Sequence, residues 1–271
     1  MTGVQTCALP IFEIKKLNIA FPGHHAVRDL NLTLQAKETL ALVGESGCGK
    51  SATALALMRL LPPTAQVEGE LRFGGQDLLA LSPREMRALR GNAISMIFQE
   101  PMTSLNPVLS LGQQLIEVLR VHESLTAKAA RQRAIELLDL VKIPEPARRI
   151  DDFAHQLSGG QRQRVMIAMA VACRPRLLIA DEPTTALDVT TEAQVLDVLK
   201  RLQAELGMAV VLISHNLGVI AQMCRRIYVM YAGTVVEEGT AEDIFYRPAH
   251  PYTKGLLASL PDPTDRDKVL T

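Results

Sequence analysis

The sequence predicts an α/β fold with a mostly parallel central sheet, an N-terminal antiparallel β subdomain and an inserted α-helical subdomain. Short apolar runs alternate with helical patterns between residues 39 and 213, as expected when helices cover both faces of a parallel sheet. Residues 12–34 alternate loosely around the turn Pro22-Gly23, which indicates antiparallel strands. Residues 109–150 repeat Ala, Leu, Arg and Glu at helical spacing, which indicates the helical insertion.

Local signals give each element its expected limits. The predicted strands lie at residues 39–43, 67–73, 94–98, 177–180 and 209–213, and a hairpin joins residues 227–230 to 234–237. The predicted helices lie at residues 51–61, within 109–150, and at 161–172 and 191–206. We expect one domain over residues 12–262, with its helical subdomain at about residues 100–172.

Composition restricts the class of protein. Apolar residues make up 48% of the 271 residues, enough for a sizeable core. Lys and Arg together number 29, as do Asp and Glu, and this balance argues against a nucleic-acid-binding protein, although it leaves a local basic patch open. No apolar run approaches the roughly 20 residues of a membrane-spanning helix. The four cysteines are scattered, which favours reduced cytosolic thiols over a disulfide framework.

Both ends of the sequence carry an expectation of their own. Residues 2–11, TGVQTCALPI, match the translation of a common sequencing adaptor and lack the basic start of a signal peptide. We therefore predict that residues 1–11 are a non-native, artefactual segment, with an ordinary disordered start as the alternative. Residues 263–271 follow Pro261-Asp262-Pro263 without a closing element, and we expect them to be a truncated tail.

The segment after the predicted strand at residues 39–43 matches the phosphate-binding pattern G-x-x-x-x-G-K-[ST]. Its glycines permit backbone angles closed to other residues, so that N–H groups can turn toward phosphate oxygens. The following helix directs its positive end at the same place. The pattern predicts a P-loop NTPase core that binds ATP and Mg²⁺ through Gly44, Glu45, Ser46, Gly47, Cys48, Gly49, Lys50, Ser51 and Ala52.

Three loop residues have specific expected roles. Lys50 is expected to reach the β- and γ-phosphate oxygens, and Ser51 to ligate Mg²⁺. Cys48 is predicted to be a small filler, with an inhibitory modification site as the alternative.

A chance glycine-rich turn is the alternative to the whole motif, and the apolar strand before it and the helix after it argue against that.

Two carboxylates follow the buried strand predicted at residues 177–180. The carboxyl end of a strand is where open α/β sheets place ligand-binding groups. Asp181 is therefore expected to hold the Mg²⁺ shell, and Glu182 to polarise the attacking water as general base. Two carboxylates at a strand end can also begin a turn, but the phosphate loop upstream favours the catalytic interpretation.

Residues 157–161, LSGGQ, resemble the signature motif of the ABC transporter ATPases. In that family the motif contacts the γ-phosphate held by the opposite subunit, so the resemblance implies a head-to-tail dimer with a second ATPase subunit, identical or related. The residues agree with this role, because a serine and two glycines before a helix form an anion site. Two-fold pairing then completes two identical sites from Ser158, Gly159, Gly160 and Gln161 of each subunit.

Other positions resemble further family motifs. Gln99, after the strand at residues 94–98, resembles the glutamine that senses Mg²⁺ and the membrane subunit. Asp188, in the sequence ALD, resembles the residue that reaches across the dimer. His215, after the strand at residues 210–214, resembles the histidine that holds the γ-phosphate.

The adenine base is expected to stack on Phe21. A purely structural role of Phe21 in the core, and stacking by His24 or His25, stay open as alternatives. One departure from the family is Lys37, which stands where relatives often have glycine. Relatives also often carry a C-terminal cysteine cluster thought to hold an iron–sulfur centre, beyond the last residue of this sequence.

Within the family, four stretches resemble the branch that imports oligopeptides, dipeptides, glutathione and nickel. The resemblance implies peptide import driven from the cytoplasmic face of the cell membrane, with nickel or glutathione as alternative substrates. The implied partners are two integral membrane permease subunits and, indirectly, an extracytoplasmic substrate-binding protein, with no nucleic acid. The four stretches are FQEPMTSLNP (98–107), QRVMIAMA (163–170), IADEPTTALDVT (179–190) and HPYTKGLL (250–257).

Three other kinds of ABC ATPase stand as alternatives. Those of DNA repair and chromosome structure insert long coiled coils before the signature, whereas the insertion here is compact and lacks sustained heptads. Translation factors carry two such domains joined by a basic linker, and this sequence contains one. A catalytically inactive regulatory domain is disfavoured by the presence of Lys50, Asp181, Glu182 and His215.

Overall fold

The structure is a computed structural model that describes residues 9–99 and 104–259. Most of the segment predicted to be non-native, residues 1–8, and all of the predicted tail at 263–271 lie outside the described residues. The strands are β1 (Phe12–Phe21), β2 (His24–Leu34), β3 (Thr39–Val43), β4 (Gln66–Phe73), β5 (Gln76–Asp77), β6 (Ile94–Ile97), β7 (Leu177–Asp181), β8 (Ala209–Ile213), β9 (Arg226–Tyr231) and β10 (Thr234–Thr240).

Helices alternate with the later strands and also form the insertion. The α-helices are α1 (Lys50–Leu57), α2 (Pro83–Leu89), α3 (Leu111–His122), α4 (Ala127–Leu140), α5 (Pro146–Arg149), α6 (Gly159–Val171), α7 (Val189–Leu206), α8 (Leu217–Met223), α9 (Ala241–Tyr246) and α10 (Pro251–Ala258). No helix in the described part of the chain is long and apolar enough to cross a bilayer.

The N-terminal strands form an antiparallel sheet in the order β2-β1-β4-β5. On β1 the side chains of Ile14 and Leu17 are both buried although they are three positions apart, a spacing that normally points to opposite faces. A register shift between them, at Lys16 with a φ of 49°, restores both to the core face. The predicted antiparallel subdomain is therefore confirmed.

The central sheet has the order β10-β9-β3-β8-β7-β6, and within it only β10 runs antiparallel to its neighbour. Its parallel strands are apolar along most of their length because both faces are covered. On β3, Leu40 and Leu42 belong to the core shared with the antiparallel sheet and α1, whereas Ala41 and Val43 belong to the core shared with α6 and α7. The carboxyl ends of β3, β6, β7 and β8 consequently meet at one edge, where a ligand can bind.

Several predicted limits differ from the observed ones for local reasons. The helix expected to reach residue 61 ends at Leu57, because Arg59 adopts a left-handed φ of 49° and Pro62 follows. The helical stretch expected within 109–150 divides into α3, α4 and α5, since the hydroxyls of Ser110 and Thr126 cap new helices. The sequence patterns did not indicate β5, α2, α8, α9 or α10. Cys48, Cys173 and Cys224 are free thiols, as expected.

Candidate active site

The phosphate loop between β3 and α1 depends on glycines with left-handed backbone angles. Gly44 and Gly49 have φ values of 149° and 104°. A Cβ atom on Gly44 would lie 2.2 Å from the carbonyl oxygen of Met230 on β9. One on Gly49 would lie 2.5 Å from the carbonyl oxygen of Ala26 on β2. The loop is therefore pressed against the main chain of two strands, and the predicted strand–loop–helix setting is present.

Replacing Gly49 by Ala is expected to destabilise the protein more than replacing Gly75. Both glycines have a positive φ, 104° and 84°, and strain of this kind costs on the order of 1–3 kcal/mol for a residue with a side chain. Only at Gly49 would the new Cβ also collide with backbone, since nothing lies within 4 Å of that position at Gly75. Thermal unfolding followed by circular dichroism measures the difference, and equal losses in the two variants would show that the collision is relieved without cost.

The Lys50 ammonium is folded back onto the loop. Its Nζ donates hydrogen bonds to the carbonyl oxygens of Gly44 and Glu45, both at 2.7 Å, and the side chain is almost fully buried. The Cys48 sulfur lies 3.7 Å from the same Nζ. Burial raises the pKa of the Cys48 thiol although the Lys50 ammonium opposes the shift, so the thiol stays protonated at neutral pH. This favours the prediction that Cys48 is a filler.

Asp181 ends β7 beneath the loop and fits a cation site. Its side chain is 4% exposed, and burial raises the pKa of its carboxyl even though the Ser51 hydroxyl and Lys50 oppose the shift. Its Oδ1 is buried without a hydrogen-bond partner, which is costly for a carboxylate. A hydroxyl and a carboxylate suit a small divalent cation that completes its shell with phosphate oxygens. The described residues contain no cluster of three or more His, Cys, Asp or Glu that could hold a metal alone.

The Glu182 carboxylate contacts side chains that follow the ends of β6, β7 and β8. The Nε2 atom of Gln99, after β6, donates to its carboxylate at 2.9 Å, and the Thr185 hydroxyl donates to the same oxygen at 2.9 Å. The Nδ1 atom of His215, after β8, lies 3.2 Å from the other oxygen. Glu182 itself has a left-handed φ of 47°, and its N–H donates to the Ile213 carbonyl oxygen at 2.9 Å. The structure thus brings together Gln99, Glu182 and His215, which the sequence analysis assigned to the nucleotide site in three separate motifs.

The surroundings of Glu182 favour its ionised form. Burial raises the pKa of this carboxyl, but hydrogen bonds from Thr185 and His215 and the charges of His215 and Lys50 outweigh burial and bring the pKa below its usual value. Because the folded pKa is the lower one, the carboxylate stabilises the fold above its unfolded pKa. That contribution disappears as the pH falls through the folded pKa. At neutral pH Glu182 is a carboxylate that can accept a proton.

Replacing Thr185 by Val is expected to raise the pKa of Glu182, because one hydrogen bond to the carboxylate is lost. The acidic limb of kcat/KM for nucleotide hydrolysis should then move to higher pH, since this profile reports groups of the free enzyme. Thr190→Val, at an exposed position in the first turn of α7, is the matched control and should leave the limb in place. An identical profile for Thr185→Val and the parent would contradict this role for the Thr185 hydroxyl.

A cavity of about 270 Å³ opens beside the phosphate loop. Phosphate-loop residues, Gln99 and Glu182 line it together with Phe21 and His24. Phe21 and His24 are cross-strand partners at the β1–β2 turn, whereas His25 is absent from the wall because successive strand residues face opposite sides. Phe21 and His24 therefore both occupy a position where an adenine ring could stack.

The signature residues form the start of α6. The Ser158 hydroxyl accepts a hydrogen bond from the Gln161 N–H at 3.3 Å, and the Gln161 side chain accepts one from the Ser158 N–H at 3.0 Å. This reciprocal capping box begins the helix at Gly159. A Cβ on Gly160 would lie 2.1 Å from a methyl group of Thr191, so glycine lets α6 pack closely on α7. None of the four signature residues lines the cavity beside the phosphate loop.

Asp188 caps α7, the helix that contacts the signature. Its carboxylate accepts hydrogen bonds from the Thr191 N–H at 3.0 Å and the Thr191 hydroxyl at 2.7 Å. These bonds lower the pKa of Asp188, which is exposed. Because Thr191 also contacts Gly160, the loop at Asp188 and the signature are joined through one side chain.

Sequence reasoning missed two residues of the site. Thr185 lies three residues after Glu182, and a hydroxyl so close to a candidate base was a signal available in the sequence. Tyr252 on α10 accepts a hydrogen bond from the Glu45 N–H at 3.1 Å across a separation of 207 residues. No local pattern indicates such a contact.

Comparison with known proteins gives two family matches. The family described as "ABC transporter" matches residues 27–185, and the one described as "Oligopeptide/dipeptide transporter, C-terminal region" matches residues 236–271. The chain is 53% identical over 257 residues to the oligopeptide transport ATP-binding protein OppD of Bacillus subtilis, covering 93% of this chain and 72% of that protein. It is 51% identical over 257 residues to the dipeptide transport ATP-binding protein DppD of the same organism, covering 93% and 77%.

Solved structures agree with the fold. The chain superposes with a TM-score of 0.75 on the ATP-binding cassette MJ0796, a dimer in a post-hydrolysis state bound to ADP and Pi, at 30% identity over 85% of this chain and 98% of that one. It superposes with the same TM-score of 0.75 on cbiO1 of Clostridium perfringens, part of an ABC transporter complex, at 27% identity over 88% and 91%. The superpositions cover most of both chains and support the architecture described above.

Proposed function

Because the chain belongs to the ABC transporter family, we propose that it is the ATP-hydrolysing subunit of an importer for oligopeptides or dipeptides. The match over residues 27–185 includes the phosphate loop, the signature and both carboxylates. The C-terminal match and the names of relatives at about half identity support peptides as the transported class. The chain binds ATP and hydrolyses it, as the family does.

One observation carries the catalytic assignment, namely the convergence of Lys50, Gln99 and Glu182 on one cavity. An ammonium at one side can hold phosphate oxygens, and a carboxylate at the other can accept the proton of water. Glu182 accepts from Gln99 and Thr185 through one oxygen, and a carboxylate has about four lone-pair sites, so it can also accept a hydrogen bond from the attacking water. His215, 3.2 Å from Glu182, can then turn to the γ-phosphate.

The signature residues do not line this cavity, which supports a nucleotide site that is shared between two subunits. The helix start at Ser158 is a second anion-binding surface, and in a head-to-tail dimer it closes over the γ-phosphate held by the other subunit. Closure is driven by contacts that exist only in the closed state. Hydrolysis removes those contacts and the dimer opens. The Gln99 segment and the helical subdomain at about residues 100–172 pass this movement to the permease.

The residues at the cation site fit Mg²⁺. Ser51, Asp181 and Gln99 would hold it, and the unpartnered Oδ1 of Asp181 supports this assignment. When bound, Mg²⁺ neutralises charge on the phosphates. The chain contributes the Ser51 hydroxyl and the Asp181 carboxylate, both oriented by α1 and β7 before nucleotide arrives.

The proposed assembly contains two ATPase subunits and two permease subunits at the cytoplasmic face of the cell membrane. An extracytoplasmic binding protein delivers the peptide and does not touch this chain. No nucleic acid takes part, in keeping with the balanced charge of 29 basic and 29 acidic residues. The relatives' names, which specify transport and import of peptides, support this assembly.

Reconstitution tests the proposal. The chain, its partner ATPase and its permease subunits are placed in liposomes with the binding protein, and uptake of a labelled peptide is measured together with ATP hydrolysis. We expect peptide to enter only with ATP and to stimulate hydrolysis. Co-purification with DNA or ribosomes instead of permease, and hydrolysis indifferent to peptide, would assign the chain to another class.

A further inference from the structure

The C-terminal helix α10 is joined to the phosphate loop by one side chain. The Tyr252 hydroxyl accepts a hydrogen bond from the Glu45 N–H at 3.1 Å. Glu45 is the second residue of the loop, directly after Gly44, and lies before the N–H groups at the start of α1. The bond therefore links the C-terminal part of the chain to the loop main chain without occupying the cavity.

Hydrogen bonds at the start of α10 fix the position of Tyr252. The Nδ1 atom of His250 accepts a hydrogen bond from the Tyr252 N–H at 3.1 Å, which caps α10. The Glu237 carboxylate on β10 accepts hydrogen bonds from the N–H groups of Ala249 and His250 at 2.7 and 3.0 Å. Hydrogen bonds to a charged acceptor are stronger than neutral ones. The start of α10 is thus fixed to the central sheet before Tyr252 reaches the loop.

The ring of Tyr252 is fixed as well. It packs on the ring of Tyr231, at the end of β9, with ring centroids 4.5 Å apart. The preceding residue on β9, Met230, is the one whose carbonyl oxygen leaves no room for a side chain on Gly44. Burial raises the pKa of the Tyr252 phenol, so the hydroxyl is neutral at physiological pH. The phosphate loop therefore contacts β9 at Gly44 and α10 at the next residue, Glu45.

Both backbone groups of Glu45, the N–H and the carbonyl, form hydrogen bonds with side chains in this structure. Its carbonyl oxygen accepts from the Lys50 Nζ at 2.7 Å, and its N–H donates to Tyr252. When Lys50 turns to phosphate oxygens, the carbonyl contact weakens, but the Tyr252 contact does not involve phosphate and persists. A loop already held in its binding shape loses less conformational entropy when ligand binds.

We propose that Tyr252 is a positioning residue that holds the phosphate loop at Glu45 and thereby sets the affinity of the chain for ATP. The proposal rests on the ATPase function proposed above. It gives the C-terminal region that matches the oligopeptide transporter family a direct effect on nucleotide binding. Because the Tyr252 hydroxyl contacts the loop main chain at Glu45 and the partners of Glu182 are Gln99, Thr185 and His215, we expect its effect on binding rather than on proton transfer.

Tyr252→Phe removes the hydroxyl and keeps the ring contact with Tyr231. We expect the Kd and KM for MgATP to rise about twofold to tenfold while kcat changes little, because without the bond the free loop spends less time in its binding shape. The energy of one neutral hydrogen bond sets the upper limit of this rise. Titration of the full chain with MgATP gives Kd, and steady-state hydrolysis gives KM and kcat. Tyr246→Phe, at a residue 82% exposed on α9, is the matched control and should behave as the parent.

A double-mutant cycle separates the hydrogen bond from general damage. Glu45→Pro removes the N–H donor, so in that background Tyr252→Phe should raise Kd no further. A full additional rise would overturn the proposal, as would an unchanged Kd in Tyr252→Phe or a fall confined to kcat. Thermal midpoints without nucleotide verify that each variant is folded. If the parent chain itself fails to bind MgATP, the proposed ATPase function is wrong, which is a different outcome.

Discussion

Glu182→Gln is expected to leave ATP binding intact and to slow hydrolysis by a factor of about 10² to 10⁴, the usual contribution of a general base. The amide keeps the shape of the side chain but cannot accept a proton from water. Because ATP then persists, the closed dimer should accumulate. Steady-state hydrolysis measures the first effect, and size-exclusion chromatography with and without MgATP measures the second.

The control for this variant is Glu136→Gln on the exposed surface of α4, which should hydrolyse ATP as the parent does. Loss of ATP binding in Glu182→Gln would mean that the carboxylate holds the site together through Gln99 and His215. Hydrolysis at the parental rate would show that another group takes the proton. The three results are separable because binding and turnover are measured independently.

Ser158→Arg is expected to abolish most hydrolysis while leaving ATP binding in place. The arginine removes the hydroxyl and obstructs the helix start, and loss of one preorganised donor at a reacting group costs a factor of about 10² to 10³. Binding survives because Ser158 does not line the cavity beside the phosphate loop. The same substitution also removes a helix cap, which costs about 1 kcal/mol of stability.

Ser110→Arg is the matched control for Ser158→Arg. Ser110 forms the same reciprocal capping box at the start of α3, so this variant loses a comparable cap without altering the signature. If both variants lose hydrolysis equally, the loss comes from reduced stability, and the proposal that two subunits share the site is wrong. A mixture of Ser158→Arg and Lys50→Ala subunits gives the stronger result, because a dimer of the two kinds regains one complete site.

The strands were predictable because their signals are local. The limits of β3 and β8 were predicted to the residue, since Glu38 and Gly44 flank the run at 39–43 and the run at 209–213 lies between Gly207-Met208 and Ser214. The end of α1 was not predicted correctly, because nothing in the sequence shows that Arg59 takes a left-handed conformation. The short helices α9 and α10 have too few turns to show a period.

The site was predictable to the extent that it follows from sheet topology. Parallel strands bring their carboxyl ends together, so Gln99, Glu182 and His215 were expected near one another, and their contacts of 2.9 and 3.2 Å agree. The choice between Phe21, His24 and His25 needed the register of the β1–β2 hairpin. The contact of Tyr252 with the loop needed the path of the whole chain, since the two residues meet only after the central sheet is complete.

The capping box at Ser158 has a consequence for the speed of assembly. Both hydrogen bonds that start α6 are made within one subunit, so the docking face exists before any encounter. In the proposed dimer, neither subunit therefore needs to order this helix start on contact, which lowers the entropic penalty of association. We therefore expect the association rate of ATP-loaded subunits to be set by collisions in the right orientation and not by ordering of the signature.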